Sequence, residues 1–432
     1  MTDQQVRFQW ARPVAEGRSD NLDEVRRIFG LSNGAESDVP VLDDVPLQSN
    51  GLTYVTGFSG AGKSKLLEMA REVWPDLQPL LVPPSDVPLI DALGLDLSSA
   101  MGLLGSVGLG EVFQFLTPFD RLSDGQQARA CLAYTFAKGG RALVIDEFLS
   151  TVDRVTAKAA AYSFQRFCRS HGISAIVATA HDDLRDALGP DHIITLDFNG
   201  RYEAGTGRSA RAPFQSEITI RPGSLVELAD LERFHYMGPL GAMDDAYDLS
   251  IVVAECRSSV VGVAVFMAPY PRAWESIPVF ADLNARVRNL VRVIVHPSFR
   301  GIGLTRRLAS PVHVGSCAVY LRSALAIYQP FVSRLGYDEV EVWEQDLAQT
   351  LARDGVPSTE SELRRRAALL LHEEFLNYRR LLSTAEWSDR DRSAHSGYHR
   401  IWESLVARSP RQQLIDQVTP FAMAGFFSSG TP

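Results

Sequence analysis

Short apolar runs alternate with stretches of helical period along this chain, and that alternation predicts an α/β protein. Residues 51–56 read as a turn and a buried strand, and 65–74 as a helix that Pro75 closes. A second apolar strand at 142–145 runs into Asp146-Glu147, and a third at 173–178 ends near His181. Between them, 155–169 has helical spacing, so the natural arrangement is a parallel sheet with crossover helices and its chemistry at the strand ends. Asn199-Gly200 marks a hairpin within 192–202. Residues 204–213 are rich in Gly, Ser, Ala and Arg without an apolar period, which predicts a linker.

A second α/β pattern begins at Ile218, with strands at 250–253, 260–267, 290–295 and 318–321 and helices after the last two. Beyond Asp346 the chain becomes charged and helical, most clearly over 360–382. The expected division is a first domain at 1–203, a linker at 204–213, a second domain at 214–345 and a helical extension at 346–432.

With 432 residues, 45% hydrophobic and 22% charged, the chain is globular and long enough for two or three cores. Its longest apolar stretch, 251–269, is broken by Glu255 and Arg257, so no membrane span is predicted. The polar start lacks the order of a secretion signal, and Cys131, Cys168, Cys256 and Cys317 form no CxxC pair. These features predict a cytoplasmic protein without a zinc site. The net charge of −9 disfavours indiscriminate nucleic-acid binding. Yet 283–337 holds no Asp, Glu or Lys and eight arginines, Arg286, Arg288, Arg292, Arg300, Arg306, Arg307, Arg322 and Arg334, which predicts an anion-binding face.

Gly57-Phe58-Ser59-Gly60-Ala61-Gly62-Lys63-Ser64 satisfies GxxxxGK[ST] between a predicted strand and helix. In such a loop backbone N–H groups wrap phosphates, the lysine neutralises charge and the hydroxyl ligates Mg2+. Leu122-Ser123-Asp124-Gly125-Gln126, then Asp146-Glu147, Asp153 and His181 follow in an order that resembles the ABC-type ATPases. The resemblance implies that ATP is bound by Gly57, Ser59, Gly60, Gly62, Lys63 and Ser64. It implies that Ser64 and Asp146 hold Mg2+, that Glu147 orients the attacking water and that His181 senses the γ-phosphate. It also implies a homodimer through the ATPase domains, in which Ser123, Gly125, Gln126 and Asp153 complete the partner's ATP site. Asp124 departs from the usual glycine, and Gln78 and Gln114 are weak matches to the family's further glutamine.

Val293 to Thr305 resembles the pyrophosphate loop of GNAT-type N-acetyltransferases, with Arg300 and Gly303 in register and Thr305 replacing a smaller residue. The segment 331–337 and the strand opening at Ile218 lie where that family places its FYxxxGF segment and first strand. The resemblance implies that Ile294, Val295, Arg300, Gly301, Gly303, Leu304 and Thr305 bind acetyl-CoA or another acyl-CoA. Glu255, His235 and His296 are candidate bases, and Tyr328 a candidate acid, because Val332 stands at the family's tyrosine. The whole pattern is similar to fusions of an ABC ATPase with a GNAT domain, distantly related to Mom-type enzymes that modify adenine in DNA.

The expected fold is therefore α/β, an ABC-type P-loop NTPase domain followed by a GNAT domain and a helical extension. A thioester is already an activated donor, so ATP would drive loading of a bulky substrate, with DNA or RNA as the expected partner. The alternatives are an ATP-driven nucleic-acid clamp or defence factor with a ligand-sensing GNAT fold, and acetylation of a protein or small amine.

Overall fold

A computed structural model of the chain describes residues 5–11, 19–30, 40–199, 201–207, 209–235, 246–272, 284–315, 318–323, 335–340 and 424–428, with single positions 240, 275, 281 and 332. Two compact units result, Met1–Gln215 with Pro297–Ile302, and Ser216–His296 with Gly303–Pro432.

The first unit opens with β1 (Gln5–Ala11), α1 (Asp20–Phe29) and β2 (Pro40–Gln48); β1 and β2 form an antiparallel ribbon. Ser19 caps α1 at its start and Gly30, in the left-handed region, ends it. Next come β3 (Leu52–Gly57), α2 (Lys63–Val73), α3 (Leu89–Ala92), α4 (Leu97–Ser106), α5 (Val112–Leu116) and α6 (Asp124–Ala137). Then follow β4 (Ala142–Ile145), α7 (Arg154–His171), β5 (Ser174–Thr179), α8 (Arg185–Leu188), β6 (His192–Leu196) and β7 (Tyr202–Thr206). The sheet runs β4-β5-β3-β6-β7, parallel except for the β6–β7 hairpin. Val55, Val144, Ile176, Ile194 and Leu196 from its strands pack with Leu66 and Ala70 of α2 and with Phe8 and Leu42 of the ribbon. Burial on both faces is why these strands read as continuous apolar runs.

The linker expected at 204–213 is shorter than its composition suggested, because Ala204, Gly205 and Thr206 pair with Ile194, Ile193 and His192 in β7. As an exposed edge strand β7 needs no apolar alternation, so it carried no strand signal.

The second unit comprises β8 (Ile218–Pro222), α9 (Leu225–Glu232), β9 (Leu249–Cys256), β10 (Ser259–Met267), β11 (Val287–Val295), α10 (Leu304–Leu308), β12 (Ala318–Ser323), β13 (Asp338–Val340) and β14 (Ala424–Ser428). Its sheet order is β13-β14-β12-β11-β10-β9-β8, and β11–β12 is its one parallel pair among the described residues. Leu228 and Leu231 of α9 cover Val253, Val263, Val265 and Ile294. The extension expected as helical over 346–432 contributes β14 between β12 and β13, so at least its last part belongs to the sheet. The helix expected at 360–382, the helix after 318–321 and Tyr328 lie outside the described residues.

Candidate functional sites

In the first unit, the P-loop leaves the C-terminal end of β3 and enters α2 at Lys63. Gly57, Gly60 and Gly62 have φ of 143°, 83° and 93°, a backbone that side chains resist. At Gly57 a Cβ would also collide with the Leu196 carbonyl oxygen of β6. Lys63 is buried and its Nζ donates to the carbonyls of Gly57 (2.8 Å) and Phe58 (2.9 Å), folding the lysine back along the loop. Ser64 is exposed on the first turn of α2, where main-chain N–H groups have no intrahelical acceptor.

Because β5 lies between β4 and β3, their three C-terminal ends are neighbours, and each carries a predicted group. At the end of β4, Asp146 and Glu147 are exposed, and the Glu147 N–H donates to Asp146 Oδ1 at 2.9 Å. Glu147 and Leu149 hold φ of 49° and 55°, a strained turn for non-glycine residues. Past β5, the His181 main chain is fixed from β3: its carbonyl accepts from the Tyr54 hydroxyl and from Thr56 Oγ1 at 3.5 Å. Burial, and then the charge of Asp182, pushes the Tyr54 phenol well above its ordinary range, so it stays a donor. Within the apolar run of β3 nothing marks Tyr54 for this part.

Ser123 opens α6 with a capping box, its N–H bonded to Gln126 Oε1 at 3.0 Å. Gly125 is buried against Val152 and Thr156. Asp153 caps α7, accepting from Val155 N at 3.1 Å and Thr156 N at 3.0 Å. Burial alone would raise this carboxyl, but the bonds from Thr156 and Val155 and the charge of Arg154 hold it below its ordinary value. Gln78 is held by main-chain pairing beside β4, and Gln114 caps α5, so both have structural placements.

In the second unit, β11 and β12 pair only at Val287–Leu290 with Ala318–Leu321. Val265 faces Arg292 whereas Phe266 faces Leu290, so Val291 is a bulge in β11 at the place where pairing to β12 ends. Ile294 and Val295 lie in the half of β11 beyond that point. Gly301 and Gly303 have φ of 82° and 86°, and Gly303 leads into Leu304 and Thr305 at the start of α10. Arg300 and Gly301 themselves belong to the first unit, where Arg300 is ion-paired to Glu111 and Arg166 donates to the Gly301 carbonyl at 3.4 Å. His296 meets the Phe234 ring edge to face at 5.0 Å, and His235 N donates to the Glu232 carbonyl at 2.9 Å.

Two expectations change. Glu255 accepts from Arg221 Nε at 2.7 Å, and Arg221 also binds Glu227, so the proposed base is a member of an ion-pair network. Four of the eight arginines of 283–337 are engaged within the protein: Arg288 pairs with Asp248, Arg292 with Glu232, Arg300 with Glu111, and Arg307 donates to the Ile218 carbonyl, while Arg306 is exposed. Their partners lie outside the acid-free stretch, where composition could not reveal them. Among the described residues no group of three or more His, Cys, Asp or Glu could hold a metal ion.

The β4-β5-β3 order, with a P-loop, an Asp-Glu turn and a histidine at adjoining strand ends, gives the first unit the layout of a P-loop α/β domain. Over 200 residues, 40% of this chain, it is 27% identical to the aliphatic sulfonates import ATP-binding protein SsuB of Pseudomonas entomophila, covering 71% of that protein. Among solved structures, the ATP-binding cassette MJ0796 bound to ADP and Pi is similar over 46% of this chain and 98% of its own, at 15% identity and a TM-score of 0.34. CbiO1 of Clostridium perfringens is similar over 39% and 82%, at 16% identity and a TM-score of 0.32. No family model matches the chain. No described helix is long and apolar enough to cross a membrane.

Proposed function

We propose that the first unit hydrolyses ATP and that the second transfers an acyl group from acyl-CoA to an amine. The observation that carries the ATPase reading is the convergence of Lys63 and Ser64, Asp146 and Glu147, and His181 at three adjacent strand ends. The loop amides and Lys63 receive the phosphates, and Glu147, exposed and without a side-chain partner among the described residues, orients the attacking water. Mg2+ on Ser64 and Asp146 supplies charge neutralisation for the phosphates. A second copy of the chain supplies Ser123, Gly125, Gln126 and Asp153, as dimerising cassettes do.

The acyltransferase reading rests on the fork where β11 leaves β12. Among the described residues the β11–β12 ladder ends at Leu290 and Leu321, and this divergence suits an extended amide chain and a thioester carbonyl. The glycine backbone at 301 and 303 suits a pyrophosphate. Arg300 fits less well, being occupied by Glu111. Internal pairing of Arg288, Arg292, Arg300 and Arg307 weakens the argument for a nucleic-acid acceptor, so the acceptor is an amine of open class.

Phosphate release from MgATP and equilibrium dialysis of labelled acetyl-CoA, both on the full chain, test the two halves separately. Wild type should do both, and Glu147→Gln should lose hydrolysis by about 100-fold or more while keeping acetyl-CoA. Failure to hydrolyse or bind ATP overturns the first reading; no acetyl-CoA bound at about 1 mM, the upper end of ordinary substrate affinities, overturns the second.

A further inference from the structure

We infer that the cavity enclosed by α6, α7 and the turn after β4 is a binding site for a small molecule with one carboxylate on a compact apolar body. Its volume is about 210 Å³, larger than the roughly 150 Å³ cavity that accepts benzene. None of residues 57–64 lines it, whereas Asp146 and Glu147 do, so it adjoins the proposed ATPase centre on the side away from the P-loop residues. Val107, Leu132, Phe148 and Phe164 supply apolar walls.

Arg129 on α6 gives the cavity its chemistry. Its Nε is sealed from solvent without an acceptor, and the guanidinium makes no hydrogen bond or ion pair among the described residues. Arg129 as a whole is half-buried, so its charge still reaches water, but the sealed Nε is a donor that none of those residues meets and that a carboxylate oxygen would satisfy. Burial first, and the charge of Arg300 second, lower its pKa to about 10, so Arg129 remains charged at neutral pH. Ser163 lines the same cavity.

The rest of the lining narrows the ligand. Asp124, Asp146 and Glu147 also border the space, so a phosphate or dicarboxylate would meet three acids with one arginine to offset it. A single carboxylate placed on Arg129, with its apolar part among Leu132, Phe148 and Phe164, satisfies the cation and keeps further negative charge away from the acids.

Phenylacetate and its neutral isostere phenylacetamide are the probes, titrated by calorimetry into the full chain. Phenylacetate should bind with a Kd on the order of a millimolar, as its ten or so heavy atoms allow. Phenylacetamide, and phenylacetate with Arg129→Gln, should bind about 10-fold more weakly or worse. Leu132→Trp, which fills the cavity, should remove binding of both. Equal affinity for acid and amide, undiminished binding to Arg129→Gln, or no binding of phenylacetate at concentrations about ten times that expected Kd overturns the proposal. The acid–amide comparison uses wild type alone and stands even where a variant fails to fold.

Discussion

Asp153 joins the turn after β4 to α7, and replacing it tests whether that turn is fixed by the cap. The carboxylate accepts two main-chain N–H groups, Val155 at 3.1 Å and Thr156 at 3.0 Å. Asp153→Ala leaves both without a side-chain acceptor, a loss of about 1 to 2 kcal/mol for a strong N-cap. Asp153→Asn keeps an oxygen acceptor and should cost under about 0.5 kcal/mol. In a unit of this size each kcal/mol corresponds to about 2 to 4 °C, so the alanine variant should unfold roughly 2 to 8 °C earlier. The folded pKa of Asp153 is lowered, so its charge contributes stability that is full above the unfolded pKa and is lost as pH falls through the folded value. The gap between wild type and Asp153→Ala should therefore narrow as pH drops below about 4. Urea unfolding between pH 7 and 3.5, with hydrogen exchange at the start of α7, reads both effects. An alanine variant as stable as wild type at pH 7, or a gap that widens in acid, would refute the capping argument.

Gly57→Ala should abolish ATP binding and cost more than about 2 kcal/mol of stability, since its Cβ meets the Leu196 carbonyl at a φ of 143°; nucleotide titration and thermal unfolding check this. Gly303→Val, at a φ of 86°, should weaken acetyl-CoA at least about 10-fold while leaving ATP hydrolysis within about twofold, read by dialysis and phosphate release. Glu232→Ala should cost about 3 to 5 kcal/mol by removing the ion-pair partner of Arg292, whose side chain is 4% exposed, and chemical unfolding of the full chain will show it in the second unit.

The parts of the site that were legible in the sequence are those whose chemistry is contiguous. The P-loop needs its glycines, lysine and serine within one turn, and Asp146-Glu147 needs only the end of a buried strand, so local pattern placed both. His181 could be placed too, because β5 is itself an apolar run. What pairs across long separations was hidden: Tyr54 anchors the main chain of a residue 127 positions away, and Arg292 finds Glu232 60 positions earlier. The same limit hid β14, which follows a long charged stretch yet joins the sheet between β12 and β13. The fork between β11 and β12 depends on a one-residue bulge at Val291, and alternation of side chains does not reveal where a neighbouring strand diverges.

The strand ends of β3, β5 and β4 are proposed to form one ATP-hydrolysing centre. Its most direct test is MgATP hydrolysis by the full chain beside Lys63→Ala, with circular dichroism confirming that the variant folds. The account predicts turnover by wild type and a loss of at least about 100-fold in the folded variant, the scale expected when a cation on the transferring phosphates is removed. Equal turnover by wild type and the folded Lys63→Ala protein would contradict it.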